Sequence, residues 1–317
     1  MIYYHPELNK KLNSDGINIP LSDERAERLF HYLQQHLAPS CFLSPSLNSY
    51  SLEEITSVHS KKYIKQLEEQ PQQAIENCYQ GYVSSSFLES SLGTNTIVQK
   101  VLQQAYGTYE SALYSLEKKF VYYLGGGMHH AMSDGGRGFC LINDIALAIR
   151  KLQQEKKIAT AWVIDLDAHK GDGTAEIFVN DDSVRTFSIH MQNGWPLDGG
   201  DSDKRSFIAS DMDVGVLPSN NYLANLQISL NNFIKCYPSP NLIYIVGGVD
   251  VWEHDELESS NLIKLTEQEV LKRDQFVFSI LAQLNIPLVY LMAGGYGEDA
   301  WRLYANFILW AEAQLKS

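Results

Sequence analysis

The 317-residue sequence has few cysteines, an excess of acidic over basic residues and no apolar run long enough to cross a bilayer. Its four cysteines are widely separated and form no CxxC pair, which excludes a dense disulfide framework. Lys and Arg number 25 against 38 Asp and Glu, and the net charge of −13 disfavours binding to a nucleic-acid backbone. The first residues lack the layout of a signal peptide. We therefore expect a cytoplasmic protein with no nucleic-acid partner and no membrane span.

No repeat, low-complexity tract or Pro/Gly-rich linker divides the chain, so we expect one domain over residues 1–317. Short apolar runs predict buried strands, and stretches with helical spacing lie between them. This alternation predicts an α/β fold with a central, mostly parallel sheet flanked by helices on both faces. Ser22 is predicted to cap an N-terminal helix that runs toward Leu37. The predicted strands are Val121–Leu124, Thr160–Ile164, Val184–Ile189, Leu242–Val246 and Pro287–Met292, and the other predicted helices are Thr94–Leu116, Asp144–Gln154, Tyr222–Ile234 and Thr266–Leu284.

Glycines, histidines and acidic residues follow the predicted strands. The segments are GGGMHH after the first strand, DLDAHKGDG after the second, His190 after the third, GGVD after the fourth and AGGY after the fifth. Ligands of open α/β sheets bind in the crevice beyond the carboxyl ends of the strands. We therefore expect the five segments to converge on one pocket.

The second of these segments is typical of a metal site. Asp165, Asp167 and His169 alternate along an extended stretch, so that their side chains point to one side. Asp167 and His169, together with Asp250 from another strand end, are candidate ligands of a divalent metal. Three protein ligands with one open position are typical of catalytic zinc, whereas structural zinc usually has four. A DxDxH string alone more often makes loop hydrogen bonds, so this interpretation depends on the other strand-end residues.

Two adjacent histidines are the candidate acid–base groups. His129 and His130 follow three glycines, which allow close approach of the backbone to the pocket. An isolated pair of histidines is usually an ordinary part of the surface or core. Here Asp165 and Asp172 are available to orient the two imidazoles, as an acid–base mechanism requires. Tyr296 can donate a phenol hydrogen bond to a developing oxyanion, although most of the 18 tyrosines must have structural roles.

The segments GGGMHHA, GRGFCLINDIALAI, IDLDAHKGDG, FSIH, GGVD and AGGY occur in this order and resemble the zinc-dependent histone deacetylase family of the arginase/deacetylase superfamily. The string Val58, His59, Lys62 and Tyr63 resembles the N-terminal region of that family. The resemblance implies one catalytic domain with an arginase/deacetylase-like fold.

The chain looks like a bacterial member of the family. Two features of its sequence are most like the class IV branch. They are Lys170, in place of the usual second histidine, and the segment LIKLTEQEVLKRDQFVF. Asp172, in contrast, stands where class IV commonly has asparagine.

The resemblance also implies roles for individual residues. His130, paired with Asp172, would be the general base and acid, and His129, paired with Asp165, its electrostatic partner. Tyr296 would bind the oxyanion in the transition state. The implied Zn²⁺ ligands are Asp167, His169 and Asp250; the implied substrate-binding residues are Gly138 and Phe139; and the residues matching a structural K⁺ site are Asp165, Asp167, His169, Ser188 and Ile189.

The implied reaction is zinc-dependent hydrolysis of the amide in N-acyl-lysine, by a deacetylase or fatty deacylase, with release of a carboxylate and a free amine. The partner would be an acylated lysine of a peptide or protein, or another acylated amine. Acetylpolyamine hydrolysis and catalytically weak binding of acyl-lysine are the alternatives, and a manganese ureohydrolase would need more aspartates. The length of the acyl chain, the oligomeric state and the second tunnel wall are open, with Trp195 a candidate for that wall.

Overall fold

The computed structural model describes residues 1–9, 11–13, 15–88, 91–200, 203–218 and 221–315. These residues contain eight strands: β1 (Ile2–Tyr3), β2 (Phe42–Leu43), β3 (Phe120–Tyr123), β4 (Ala161–Asp165), β5 (Val184–Met191), β6 (Met212–Val216), β7 (Leu242–Val246) and β8 (Leu288–Leu291). The strands form one sheet in the order β2-β1-β3-β8-β7-β4-β5-β6. Every strand pair in it is parallel, which confirms the predicted α/β fold.

The α-helices of the described residues are α1 (Arg25–His36), α2 (Lys61–Glu69), α3 (Pro71–Tyr79), α4 (Ser85–Leu88), α5 (Ser91–Lys118), α6 (Asp144–Gln154), α7 (Asp172–Phe178), α8 (Tyr222–Cys236), α9 (Glu267–Ala282) and, after the last strand, α10 (Trp301–Gln314). In the part of the chain described by the structure, none of these helices combines the length and apolar character needed to cross a membrane.

Both faces of the sheet are apolar, as expected for parallel strands covered on two sides. In β7, Leu242, Tyr244 and Val246 point into a core shared with α5 and α6. Ile243 and Ile245 point into a second core, shared with α1, α8, α9 and α10. The strands therefore appear in the sequence as continuous apolar runs, which is why β7 was predicted with its observed bounds.

The other predicted strands and helices are confirmed with small shifts at their ends. The strand β5 continues to Met191, so that His190 lies inside it and not after it. Three strands were not predicted. The strands β1 and β2 have only two residues each, and β6 is a half-buried edge strand interrupted by Asp213 and Gly215, so none forms an apolar run.

The predicted cap of the first helix was wrong. The helix α1 has Glu24 at its N-cap, and no side chain caps it. Ser22 contributes its carbonyl oxygen, which accepts a hydrogen bond from the Arg25 backbone N–H at 3.1 Å. The helix begins at Arg25, two residues later than a cap at Ser22 predicts, and Glu24 at its N-cap has α-region backbone angles, φ −97° and ψ 0°.

The strand order brings distant parts of the chain to one end of the sheet. The strand β4 lies between β5 and β7, and Asp165 at its end pairs in register with Ser188 and Val246. The strands β8 and β3 follow beyond β7. The polar segments after β3, β4, β7 and β8 therefore meet at the carboxyl end of the sheet, where ligands of this fold class bind.

Candidate active site

Three buried side chains after β4 and β7 form a cluster with metal-ligand chemistry. One ligand atom from each of Asp167, His169 and Asp250 lies within 4.8 Å of the other two. His169 Nδ1 is 3.1 Å from Asp167 Oδ1 and 3.0 Å from Asp250 Oδ2. Among the described residues, this is the one cluster of its kind. Two carboxylates and an imidazole are a donor set that suits Zn²⁺, so the residues present fit a catalytic zinc site.

Backbone contacts hold the carboxylates of this cluster in place. Gly294 N–H donates to Asp167 Oδ2 at 3.1 Å, and Ala168 N–H donates to Asp250 Oδ1 at 2.9 Å. A Cβ atom at Gly248 would lie 2.2 Å from Asp167 Oδ2. The glycines of GGVD and AGGY are therefore needed for close approach of the backbone to the ligands.

Arg273 on α9 joins two of the loops that carry the cluster. Its fully buried guanidinium donates to the Leu166 carbonyl oxygen at 3.0 Å and to that of Gly248 at 2.8 Å. Its charge is balanced by Asp274, 2.9 Å away. Sequence reasoning missed this role, although Arg273 belongs to the segment LIKLTEQEVLKRDQFVF, which pointed only to a subclass.

Lys170, the other residue that pointed to the subclass, also has a structural contact. Its buried ammonium lies 3.0 Å from Asp213 Oδ2 and donates to the Ile208 carbonyl oxygen at 2.7 Å. It thereby joins the loop after β4 to the segment that contains β6.

Each of the two adjacent histidines is paired with its predicted carboxylate. His129 Nδ1 lies 2.6 Å from Asp165 Oδ2, and His130 Nδ1 lies 2.8 Å from Asp172 Oδ1. The two rings are 3.9 Å apart between centroids. Nε2 of His129 is 3.8 Å from Asp167 Oδ1, so the histidine pairs adjoin the metal-type cluster.

The surroundings give the two imidazoles opposite protonation states. Burial lowers the pKa of His129, but Asp165 and Asp167 outweigh it and raise this pKa to about 9. Burial and the charge of His129 lower the pKa of His130 to about 3, despite its hydrogen bond to Asp172. Burial raises the pKa of Asp172, but His130 and Arg137 outweigh it and lower this pKa. His129 is therefore the charged imidazole and His130 the neutral one.

The glycine-rich turn before the histidines is anchored by Asp144. This carboxylate accepts hydrogen bonds from the backbone N–H groups of Gly127 at 3.0 Å and Met128 at 2.7 Å. Gly126 has φ +71°, and a Cβ atom there would lie 2.6 Å from Thr108 Oγ1. Asp144 lies in the segment GRGFCLINDIALAI, but its anchoring role was not predicted.

The string Val58, His59, Lys62 and Tyr63 supports the same region from outside the pocket. His59 Nδ1 donates to the Met132 carbonyl oxygen and Nε2 accepts from the Asn143 N–H, both at 3.0 Å. Tyr63 donates to the Leu141 carbonyl oxygen at 2.7 Å.

Tyr296 lies beside the cluster in a loop held by Asp255. Its backbone N–H donates to Asp255 Oδ2 at 2.8 Å. Burial, followed by the charges of Asp167 and Asp250, raises the pKa of the phenol well above its ordinary value. Tyr296 therefore keeps its proton at neutral pH and can donate it in a hydrogen bond.

Two cavities meet at these residues. An inner cavity of about 110 Å³ extends from the cluster toward the N-terminal segment and is lined by Leu12 and Arg25 at its far side. An outer cavity of about 200 Å³ includes Tyr82, Trp195 and Leu257 in its lining. Both cavities are lined by His130, Gly138, Phe139, His169 and Tyr296.

Phe139 and Trp195 are among the aromatic side chains that line the outer cavity. Phe139 has φ +66° and packs 6.0 Å from the Tyr79 ring and 6.1 Å from the Tyr296 ring. Trp195 lies 4.6 Å from the His130 ring and 5.7 Å from the His169 ring. The structure thus places Trp195, the candidate for the second wall, in the lining of the same cavity as Phe139.

The residues predicted for the monovalent cation are also brought together. Asp165 and Ser188 are register partners on β4 and β5, and Ile189 follows Ser188. Asp165 Oδ1 accepts from the Asp167 N–H at 3.1 Å, and Ser188 Oγ lies 3.0 Å from His190 Nδ1. The side chains of Asp165, Ser188 and Ile189 are all buried.

Comparison with known sequences gives several relatives. The chain is 33% identical over 206 residues to an uncharacterized protein of Picosynechococcus sp., covering 64% of this chain and 65% of the relative. It is 31% identical over 217 residues to histone deacetylase 2 of Arabidopsis thaliana, covering 67% of this chain and 54% of the relative. It is 30% identical over 188 residues to the acetoin utilization protein AcuC of Staphylococcus aureus, covering 57% of this chain and 47% of the relative. The matched part thus spans about half to two thirds of these curated relatives.

The fold is shared with a solved structure. The crystal structure of the HDA15 HD domain superposes with a TM-score of 0.74 at 18% identity, covering 100% of this chain and 91% of that one. The sequence profile described as "Histone deacetylase domain" matches residues 19–310. This match includes each strand-end segment of the site, and the chain belongs to the histone deacetylase family.

Proposed function

We propose that the chain is a zinc-dependent amidohydrolase that removes the acyl group from N-acyl-lysine and releases a carboxylate and a free amine. The observation that carries this proposal is one cavity lined by His130, His169, Phe139 and Tyr296, with the Asp167 and Asp250 carboxylates around His169. This arrangement combines metal ligands, a base and an oxyanion donor, as hydrolysis of an amide requires. We place this activity in one catalytic domain over residues 1–317.

Asp167, His169 and Asp250 would hold the zinc ion. When bound, zinc polarises the amide carbonyl and lowers the pKa of water toward ~7. The buried carboxylates support this role, because a divalent cation would offset the repulsion between ligand atoms that lie within 4.8 Å of one another.

In this proposal His130 is the general base. Its lowered pKa keeps it neutral and ready to take a proton from the attacking water, and Asp172 orients its ring through Nδ1. His129 stays protonated through Asp165 and stabilises negative charge beside the cluster. The leaving amine then takes a proton from the histidine pair.

Tyr296 would donate its phenol proton to the oxyanion, and Gly138, Phe139 and Trp195 would enclose the substrate stem. The K⁺ ion would bind at Asp165, Asp167, His169, Ser188 and Ile189, where the buried Asp165 and Ser188 are register partners on neighbouring strands.

The first test is hydrolysis of acetyl-, octanoyl- and myristoyl-lysine peptides by zinc-loaded protein. Tyr296→Phe removes only the oxyanion donor and should lower kcat by about 10²-fold or more. His130→Ala removes the base and should lower kcat by about 10²- to 10⁴-fold. Tyr237→Phe is the matched control and should leave kcat unchanged. The Tyr237 phenol donates a hydrogen bond to the Asp211 carbonyl oxygen at the C-terminal end of α8.

Equal turnover by wild type, Tyr296→Phe and His130→Ala would contradict the proposed mechanism. Binding of acyl-lysine peptides by wild type without turnover would favour the alternative of a binding protein. The acyl chain hydrolysed fastest decides between deacetylase and fatty deacylase. The assignment to class IV, the bacterial origin and the cytoplasmic location stay predictions.

A further inference from the structure

The imidazole of His169 has a polar partner at each of its two nitrogens. Its Nδ1 atom faces the carboxylates of Asp167 and Asp250, at 3.1 and 3.0 Å. Its Nε2 atom lies 3.1 Å from the hydroxyl oxygen of Ser259. Among the described residues, the Ser259 side chain makes no other hydrogen bond. The ring is therefore held between the two carboxylates on one side and one serine on the other.

Ser259 approaches this ring from the outer cavity. It belongs to a short 3₁₀ turn after β7, over Glu258–Ser260, and is one of the residues that line the cavity. Ser259 is exposed, whereas His169 is only 4% exposed. Replacing an exposed serine removes no part of an apolar core and usually has a small effect on stability. The contact with His169 is thus what the Ser259 hydroxyl contributes to the described structure.

The carboxylate of Asp255 fixes the turn that carries Ser259. Its Oδ1 atom accepts hydrogen bonds from the Leu257 N–H and from the Ser260 hydroxyl, both at 3.0 Å. Its Oδ2 atom accepts from the Tyr296 N–H at 2.8 Å. The turn is therefore tied to the loop of Tyr296, and the Ser259 hydroxyl is held in place at the edge of the active site.

The two nitrogens of a neutral imidazole have different roles. One carries the proton, and only the other has the free lone pair that can bind a metal. The hydrogen bond made by the protonated nitrogen decides which is which. In His169 the atom on the side of the two carboxylates is Nδ1, so Nε2 has to carry the proton and donate it to Ser259 Oγ. This contact favours the tautomer and the ring orientation that metal binding requires.

We propose that Ser259 is a positioning residue that holds the His169 imidazole in the tautomer and orientation needed to bind zinc. The inference rests on the proposed function, because it requires zinc at Asp167, His169 and Asp250. It adds a residue from the wall of the outer cavity to the groups that support the metal. Loss of such a partner typically lowers the affinity for the metal by about 10- to 100-fold.

The test measures zinc affinity by competition with a chelator, which does not depend on turnover. Ser259→Ala removes the hydroxyl and should raise the Kd for zinc by about 10-fold or more. Ser259→Thr keeps a hydroxyl and should bind zinc as tightly as wild type. After removal of metal by a chelator, Ser259→Ala and wild type should have the same melting temperature, because Ser259 is exposed.

Ser57→Ala is the matched control, because Ser57 also lies in a 3₁₀ turn, Glu54–Ser57. Its hydroxyl donates to the Glu54 carbonyl oxygen at 2.9 Å, and its removal should leave zinc affinity unchanged. Equal zinc affinity of Ser259→Ala and wild type would overturn the proposal. A lower melting temperature of metal-free Ser259→Ala would also overturn it, since the hydroxyl would then support the fold and not the ligand.

Failure of the proposed function gives a different pattern of results. Wild type that binds no zinc would overturn the metal site and the role of Ser259 together. Wild type that binds zinc, with an affinity that Ser259→Ala does not change, would overturn the role of Ser259 alone. Tight zinc binding by wild type and weak binding by Ser259→Ala, without hydrolysis of any acyl-lysine peptide, would support the role of Ser259 and contradict the proposed reaction.

Discussion

At the scale of the residue, surroundings decide what each histidine does. His129 faces two carboxylates and is charged, whereas His130 shares its single carboxylate with Arg137 and is neutral. His59 is a third case, in which burial lowers the pKa to about 4 and both ring nitrogens are hydrogen-bonded to backbone. The partners of a histidine in the fold thus decide whether its ring is charged or neutral.

The neutral state of His59 predicts a pH dependence of stability. Unfolding raises this pKa from about 4 to its ordinary value of 6.5, so between these values the unfolded chain binds the extra proton. The contribution of His59 is complete above pH 6.5 and is lost as pH falls toward 4, by about 3 kcal/mol in all. His59→Gln keeps a donor and an acceptor but cannot titrate.

Urea unfolding between pH 7 and pH 5 measures this effect. His59→Gln should lose less stability over this range than wild type does. His31→Gln is the control for replacing a histidine by glutamine, because the His31 side chain is 61% exposed. An identical pH dependence in wild type and His59→Gln would show that His59 is not the titrating group.

At the scale of the element, α9 contributes to the site although it does not line the pocket. Arg273 crosses from this helix to the backbone that precedes Asp167 and to the backbone that precedes Asp250. One buried guanidinium thus sets the spacing of two loops. Residues that orient metal ligands in this way affect affinity for the metal as well as the stability of the fold.

Replacing Arg273 by methionine should therefore change two measured quantities. The free energy of unfolding should fall by about 3–5 kcal/mol, because Asp274 is left buried without its partner. Zinc affinity, measured by competition with a chelator, should fall by about 10- to 100-fold. The double variant Arg273→Met/Asp274→Leu should recover much of the stability but not the zinc affinity. Recovery of both would mean that Arg273 only neutralises Asp274.

At the scale of the whole molecule, two apolar cores, one on each face of the sheet, accompany a cluster of buried charges at one end of it. Asp167 and Asp250 are almost completely inaccessible to solvent. Their mutual repulsion opposes folding unless a cation offsets it. A bound divalent ion should therefore stabilise the entire fold and not only the site.

Zinc should raise the melting temperature of the protein, and a chelator should reverse the effect. At a free zinc concentration of 1,000 times Kd, binding of zinc to the folded state should raise the free energy of unfolding by about 4 kcal/mol. Asp250→Asn removes one ligand and should abolish most of the zinc-dependent shift, while Asp182→Asn, with a side chain 96% exposed, should keep it. A melting temperature that zinc does not change in wild type would contradict the metal site.

Much of the fold and of the site follows from local pattern. Continuous apolar runs predict β7 and the other long central strands, because both faces of a parallel sheet are buried. The residues after those strands converge because parallel strands end at the same edge. Local pattern makes Asp165 and Asp172 available to orient the two histidines, and the resemblance to the family implies the pairs His129–Asp165 and His130–Asp172, both of which are present.

Contacts between distant segments required the three-dimensional structure. Arg273 reaches Leu166 across 107 positions of the chain, and Arg137 reaches Ser206 across 69. The helical spacing around Arg273 predicts its helix but not its partners, and Arg137 and Trp195 lie outside the helices and strands. Local sequence therefore specifies which chemical groups stand at the strand ends, because strand periodicity is a short-range property. The charge, protonation and shape of the pocket depend on side chains that only folding brings together.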